Sequence, residues 1–171
     1  DEYAAAGFLS IAPALFDRVE RDVDLPYTDM SGVGYMKALK TDQAILDVQA
    51  AADRVAAAGP VGVVGSCRGG TIAYLAAARL KIAAAVAYYG GGIHNHTGEK
   101  PGVPVLFHFG EQDAHIPKSA VDEIKAAYPE GTYYWYPAGH GFNCTDRASF
   151  EPASAKLALD RSLEFLHRYI G

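Results

Sequence analysis

Apolar residues in this chain fall into short unbroken runs separated by stretches with helical spacing. Five runs stand out, at residues 8–12 (FLSIA), 61–65 (VGVVG), 84–89 (AAVAYY), 103–109 (VPVLFHF) and 133–136 (YYWY). The first four lack polar alternation, the pattern of parallel strands covered on both faces. Pro104 has no N–H for a ladder and marks the beginning of its strand. The aromatic run 133–136 reads as a strand that packs rings on both faces. Between the runs the spacing predicts helices over 41–58, 68–80 and 118–128, and from Pro152 to the end. In the first of these, Ile45, Val48, Ala52 and Val55 form one apolar face and Gly59-Pro60 stops the helix. In the last, the apolar positions are Leu159, Leu163, Leu166 and Ile170.

Strands alternating with helices predict an α/β domain with a mostly parallel sheet, read as a single domain over 1–171. The stretch 17–40 is polar and weakly patterned, so it is expected to be a long loop or cap beside the site. The opening DEYAAAG resembles the last turns of a helix closed by Gly7, and residue 1 is read as a cut point.

Composition narrows the function. The formal net charge is −5 with no basic block, which argues against nucleic acid or an anionic membrane as a partner. No apolar run approaches the roughly 20 residues of a membrane span. Two cysteines, Cys67 and Cys144, are too few for a disulfide scaffold and fit a reducing, cytoplasmic setting. His94 and His96 have ligand-like spacing without a third ligand, so that segment reads as a solvated loop; neither a metal nor a cofactor is expected.

The chemistry concentrates at three strand ends. In Gly65-Ser66-Cys67-Arg68-Gly69, small flanks permit a sharp strand-to-helix turn that lifts Cys67 clear of the sheet. A helix N-terminus there favours thiolate, and the backbone N–H of Arg68 faces a developing oxyanion. A buried structural cysteine in a Gly-rich turn would carry the same pentapeptide. Two later segments weigh against that reading: Asp113 follows the fourth run in GEQDAHIP, and His140 follows the fifth in GHGF. Each taken alone fits an ordinary loop residue. Together, the order nucleophile, acid, histidine along one sheet edge is that of α/β-hydrolases, with His140 as base and Asp113 orienting it.

The residues that carry a resemblance are APALFDR (12–18), GSCRGG (65–70), AYYG (87–90), GEQD (110–113) and GHGF (139–142). With them the chain resembles the dienelactone hydrolase (carboxymethylenebutenolidase) family, α/β-hydrolases with a Cys nucleophile. The resemblance implies a Cys67-Asp113-His140 triad that opens a small-molecule lactone or ester through an acyl-thiol intermediate. It also implies that Arg18 binds a substrate carboxylate, and Tyr35, Ser66 and Phe142 are expected to line the substrate side. An ion pair of Arg18 with Asp17, Glu20 or Asp22 is the alternative. Ser66 and Arg68 stand where relatives often carry an aromatic residue, and Cys144, with Arg147 nearby, stands where some carry a second carboxylate-binding Arg.

In that fold, 8–12 corresponds to the fourth strand and 61–65 to the fifth, so the first three strands are lacking. A second oxyanion donor and a glutamate contacting the resting cysteine would lie with them. Three arrangements are open: residues precede Asp1, another chain supplies the segment, or the fourth strand pairs directly with the fifth. The first is expected. Rival functions are a catalytically weak hydrolase-fold scaffold or binding protein, and a Cys-elbow amidotransferase-like or deglycase-like enzyme. The latter does not account for GEQD followed by Pro117.

Overall fold

Four of the five apolar runs form one parallel sheet in the computed structural model, which describes residues 2–26 and 29–171. The strands are β1 (Gly62–Ser66), β2 (Ala84–Tyr88), β3 (Val105–Gly110) and β4 (Thr132–Tyr136), side by side in that order. The α-helices among the described residues are α1 (Glu2–Ala5), α2 (Gly32–Ala38), α3 (Thr41–Val55), α4 (Arg68–Arg79), α5 (Lys118–Ala127) and α6 (Pro152–Ile170). The chain divides into two units, residues 1–58 and 59–171.

In the first unit, α1 closes as its sequence predicts. Phe8 N–H donates to the Tyr3 carbonyl at 3.1 Å and Gly7 N–H to that of Ala4 at 3.0 Å, the paired bonds of a glycine-terminated helix. Asp1 lies outside the described residues. Residues 8–12 form no strand, which corrects the sequence expectation. A strand needs a ladder partner, and this unit offers none among its described residues. Leu9 and Ile11 are instead exposed. The stretch 17–40, of which 27 and 28 lie outside the described residues, holds the end of a 3-10 turn (Leu15–Arg18) and α2. The Phe16 and Tyr35 rings stack across it, 5.6 Å apart. Helix α3 buries Ala44, Ile45, Val48 and Ala52; of the face read from the sequence, Val55 at the helix end is only partly buried, and Ala44 joins it.

In the second unit, alternation along the strands sends neighbouring side chains to opposite layers. Phe107 meets Tyr74 of α4 and Tyr128 just beyond α5, while adjacent His108 faces Ser162 of α6. Because both layers are covered, β2 and β3 are buried along their whole length, and this is why their sequence shows no alternation. Edge strand β4 does what its aromatic run predicts: Tyr133 stacks on Phe107, and Tyr134 stacks on His108.

The buried line of α6 is Ser154, Ala158, Ser162 and Leu166, so among the predicted apolar positions Leu159 and Leu163 are displaced from its centre by serines. Chemistry explains the serines. His108 is fully buried, with Nδ1 2.8 Å from the Tyr136 hydroxyl and Nε2 2.9 Å from Ser162 Oγ. Arg161 donates to the Tyr136 hydroxyl at 3.2 Å, and Ser162 Oγ donates to the Ala158 carbonyl at 2.9 Å. One assignment satisfies every group: Tyr136 donates to Nδ1, and the neutral ring donates from Nε2 to Ser162. Burial pushes the His108 pKa down to about 3, with the Arg161 charge acting in the same sense. Helix α6 begins on Glu151, whose carboxylate accepts from Ser154 N–H at 2.7 Å, with Pro152 in its first turn.

Candidate active site

Strand β1 ends at Ser66 and α4 begins at Arg68, leaving Cys67 alone to make the turn. Its backbone has φ 55° and ψ −118°, a conformation costing a non-glycine residue about 1–3 kcal/mol. The surroundings hold it there. Cys67 N–H donates to the Tyr88 carbonyl at 3.0 Å, continuing the β1–β2 ladder, while its own carbonyl accepts from Gly70 N–H at 3.0 Å. A Cβ on Gly65 would sit 2.0 Å from the Gly69 oxygen, and one on Gly70 would sit 2.6 Å from the Tyr88 oxygen. A Cβ on Gly69 would meet open space. The flanks the turn requires are therefore Gly65 and Gly70; Gly69 contributes its backbone, which the sequence motif does not distinguish.

Two loops beyond the carboxyl ends of β3 and β4 bring the other polar residues to the cysteine. Asp113 sits in a turn where its Oδ1 accepts from His115 N–H at 2.8 Å and Ile116 N–H at 3.2 Å. That leaves Oδ2 to accept from His140 Nδ1 at 2.7 Å, with the carboxylate 1% exposed. His140 Nε2 lies 3.3 Å from Cys67 Sγ. Ser149 Oγ donates to the His140 carbonyl at 2.7 Å and pins the loop. The structure thus brings together all three residues read from the sequence.

Their electrostatics are coupled. The bond to His140 holds the Cys67 thiol below its usual range, against the opposing effect of half-burial; the imidazole's charge, the Arg68 backbone N–H and Arg147 add to the lowering. The same bond raises His140, again against burial and with help from Asp113. Both shifts favour thiolate beside imidazolium.

The remaining predicted residues stand differently. Ser66 is exposed at the end of β1. Phe142 is fully buried among the Tyr88, Tyr89 and Tyr136 rings, so it supports the site from beneath instead of lining it, a correction to the expected role. In the first unit, Arg18 bonds Asp47 through Nε and Nη2, both at 2.8 Å, and Tyr35 donates to Glu20 at 2.5 Å. Arg18 thus has an ion-pair partner other than the three neighbouring carboxylates considered, one presented by α3. Cys144 is a free, half-buried thiol. Residues Ile93–His96 form a 3-10 turn anchored by buried Ile93 where the sequence suggested a solvated loop. No metal-binding cluster of three or more His, Cys, Asp or Glu occurs among the described residues, and no helix there is long and apolar enough to cross a membrane.

Two rings that the sequence does not single out as site residues pack against His140: Tyr89, at 4.9 Å between centroids, and His115, at 5.0 Å. One signal was available, since Tyr89 follows β2 just as Cys67 follows β1. Asn143, whose Oδ1 accepts from the Tyr89 hydroxyl, and Ser149 carried none, because loop geometry alone brings them in.

Comparison with known proteins agrees with this architecture. The sequence model of the Dienelactone hydrolase family matches residues 1–170. A carboxymethylenebutenolidase of Pseudomonas putida is 40% identical over 114 residues, 63% of this chain and 48% of that protein. Against that relative the match spans about half its length. A carboxymethylenebutenolidase of Pseudomonas sp. (strain P51) is 30% identical over 178 residues, 96% of this chain and 75% of that one. A Klebsiella pneumoniae crystal structure, "Putative Dienelactone Hydrolase", superposes with a TM-score of 0.74 at 27% identity over 91% of this chain and 73% of that one. A Pyrococcus furiosus esterase shares the fold, with a TM-score of 0.61 at 17% identity over 82% of this chain and 64% of that one. The parallel sheet with its flanking helices is part of an α/β-hydrolase fold, and the match along nearly the whole sequence makes this chain a member of the dienelactone hydrolase family.

Proposed function

We propose that the protein hydrolyses a small-molecule lactone or ester, with Cys67 as nucleophile, His140 as general base and acid, and Asp113 orienting the imidazole. The observation that carries this reading is the continuous contact from Asp113 Oδ2 through His140 to Cys67 Sγ, at 2.7 and 3.3 Å. The Cys67 thiolate attacks the carbonyl carbon, and the carbonyl oxygen becomes an oxyanion stabilised by the Arg68 backbone N–H. Collapse expels the alkoxide, which takes the proton from His140 imidazolium and leaves an acyl-thioester on Cys67. Neutral His140 then removes a proton from water, the hydroxide attacks the thioester, and the carboxylic acid leaves as the thiolate re-forms. Asp113 Oδ2 accepts the Nδ1 proton throughout and so fixes the tautomer.

Relatives described as carboxymethylenebutenolidases support a lactone as substrate. Within the first unit, the Arg18 guanidinium is already held by Asp47 through two bonds. The test compares the parent with Cys67→Ala on a dienelactone and on a p-nitrophenyl ester. Turnover by the parent and its loss in the variant are expected; equal turnover, or none by either protein, refutes the proposal.

A further inference from the structure

Tyr89 is the first residue past β2 and has φ 35°, a left-handed conformation that a bulky side chain rarely takes. Its N–H donates to the His108 carbonyl at 2.8 Å, and the preceding Tyr88 carbonyl accepts from Cys67 N–H at 3.0 Å. Ladder bonds to both neighbouring strands therefore fix the backbone, and the strained turn throws the ring onto His140, 4.9 Å away, and edge-on to Phe142 at 5.6 Å. The hydroxyl donates to Asn143 Oδ1, three residues beyond His140. On its other side it meets the hydroxyl of Ser66, the residue before Cys67. Strain of this kind persists where surrounding structure over-determines it, and it gathers at working sites.

We propose that Tyr89 is a positioning residue for the Cys67–His140 pair. Its hydroxyl ties the loop that carries the histidine to the turn that carries the cysteine, and its ring keeps the imidazole at bonding distance from the sulfur. The inference rests on reading Cys67 as the reactive nucleophile. Burial pushes the phenol up to about 12, so it remains a neutral donor across the working range.

The test needs no substrate. Iodoacetamide alkylation of Cys67 is followed against pH by peptide mass spectrometry, with Cys144 as the internal reference, in the parent, Tyr89→Phe, Asn143→Ala and the double variant. Tyr89→Phe keeps the ring and removes only the hydroxyl. Each single variant should slow Cys67 alkylation about five-fold near neutral pH, as loss of one hydrogen bond allows, and move the midpoint upward. The double variant should be no worse than either single one, because both cut the same tie. Unchanged profiles in both single variants, or effects that add in the double variant, overturn the positioning role while leaving the nucleophile reading intact. A parent in which Cys67 reacts no faster than Cys144 overturns both.

Discussion

Replacing Asp113 with asparagine isolates the proton arrangement on which the proposed chemistry depends. In the parent, Oδ1 accepts two backbone N–H groups, from His115 and Ile116, and Oδ2 accepts the His140 Nδ1 proton. An asparagine has one accepting oxygen, and the two backbone donors claim it. Its NH2 must then face Nδ1, which makes Nδ1 an acceptor and moves the ring proton to Nε2, the atom 3.3 Å from Cys67 Sγ. An imidazole in that tautomer cannot take the thiol proton. In a serine triad the same change lowers kcat about 10⁴-fold. A thiol at a helix N-terminus ionises more readily than a hydroxyl, so a loss of about 10²–10⁴, or roughly 3–5 kcal/mol of barrier, is expected here. The assay is p-nitrophenyl ester hydrolysis over a pH series, with Cys67 alkylation and thermal unfolding alongside. Turnover should collapse and the alkylation midpoint should rise, while the thermal midpoint moves little, since the turn keeps its backbone bonds. A variant within about threefold of the parent, with an unchanged pH profile, would refute the tautomer argument. Joint loss of rate and thermal stability would make Asp113 a structural turn residue.

Gly65→Ala places a methyl 2.0 Å from the Gly69 oxygen and should destabilise the fold by about 3 kcal/mol or more, read by urea unfolding; Gly69→Ala, with open space at its Cβ, should be far milder. His108 stays neutral when folded, with a pKa of about 3, but takes up a proton below about 6.5 when unfolded. Its contribution is therefore complete above pH 6.5 and lost as pH falls toward 3, amounting to about 2 kcal/mol between pH 6.5 and 5. Urea midpoints should drop over that interval in the parent and drop less in His108→Gln; parallel slopes would contradict the reading. Ser149→Ala removes the bond to the His140 carbonyl and should lower esterase turnover several-fold with little change in KM; an unchanged kcat would show that the loop does not need it.

The parts of the fold that local chemistry decides are the parts the sequence announces. Buried strands β2 and β3 are apolar throughout because helices cover both faces, and Gly59-Pro60 sits where the turn after α3 ends. Residues 8–12 are equally apolar, yet strand formation depends on a neighbour as well as on composition, and their sequence cannot supply one. Cys67, Asp113 and His140 were legible because each follows a strand at the same sheet edge. Gly70 was not, since its constraint is the Tyr88 carbonyl 2.6 Å from a would-be Cβ. Ser162 carried no signal in the sequence, because its place on the buried line of α6 follows from a partner, His108, far away in the chain.

The proposed mechanism requires that Cys67 become covalently acylated during turnover. Rapid acid quench after mixing with p-nitrophenyl acetate, followed by peptide mass spectrometry, reads this directly. One acetyl group is expected on the Cys67 peptide, accumulating most in a His140→Ala variant that hydrolyses the thioester slowly, and none there in Cys67→Ala. Ester turnover by the parent with no label on Cys67, or with equal labelling of Cys67 and Cys144, would contradict it.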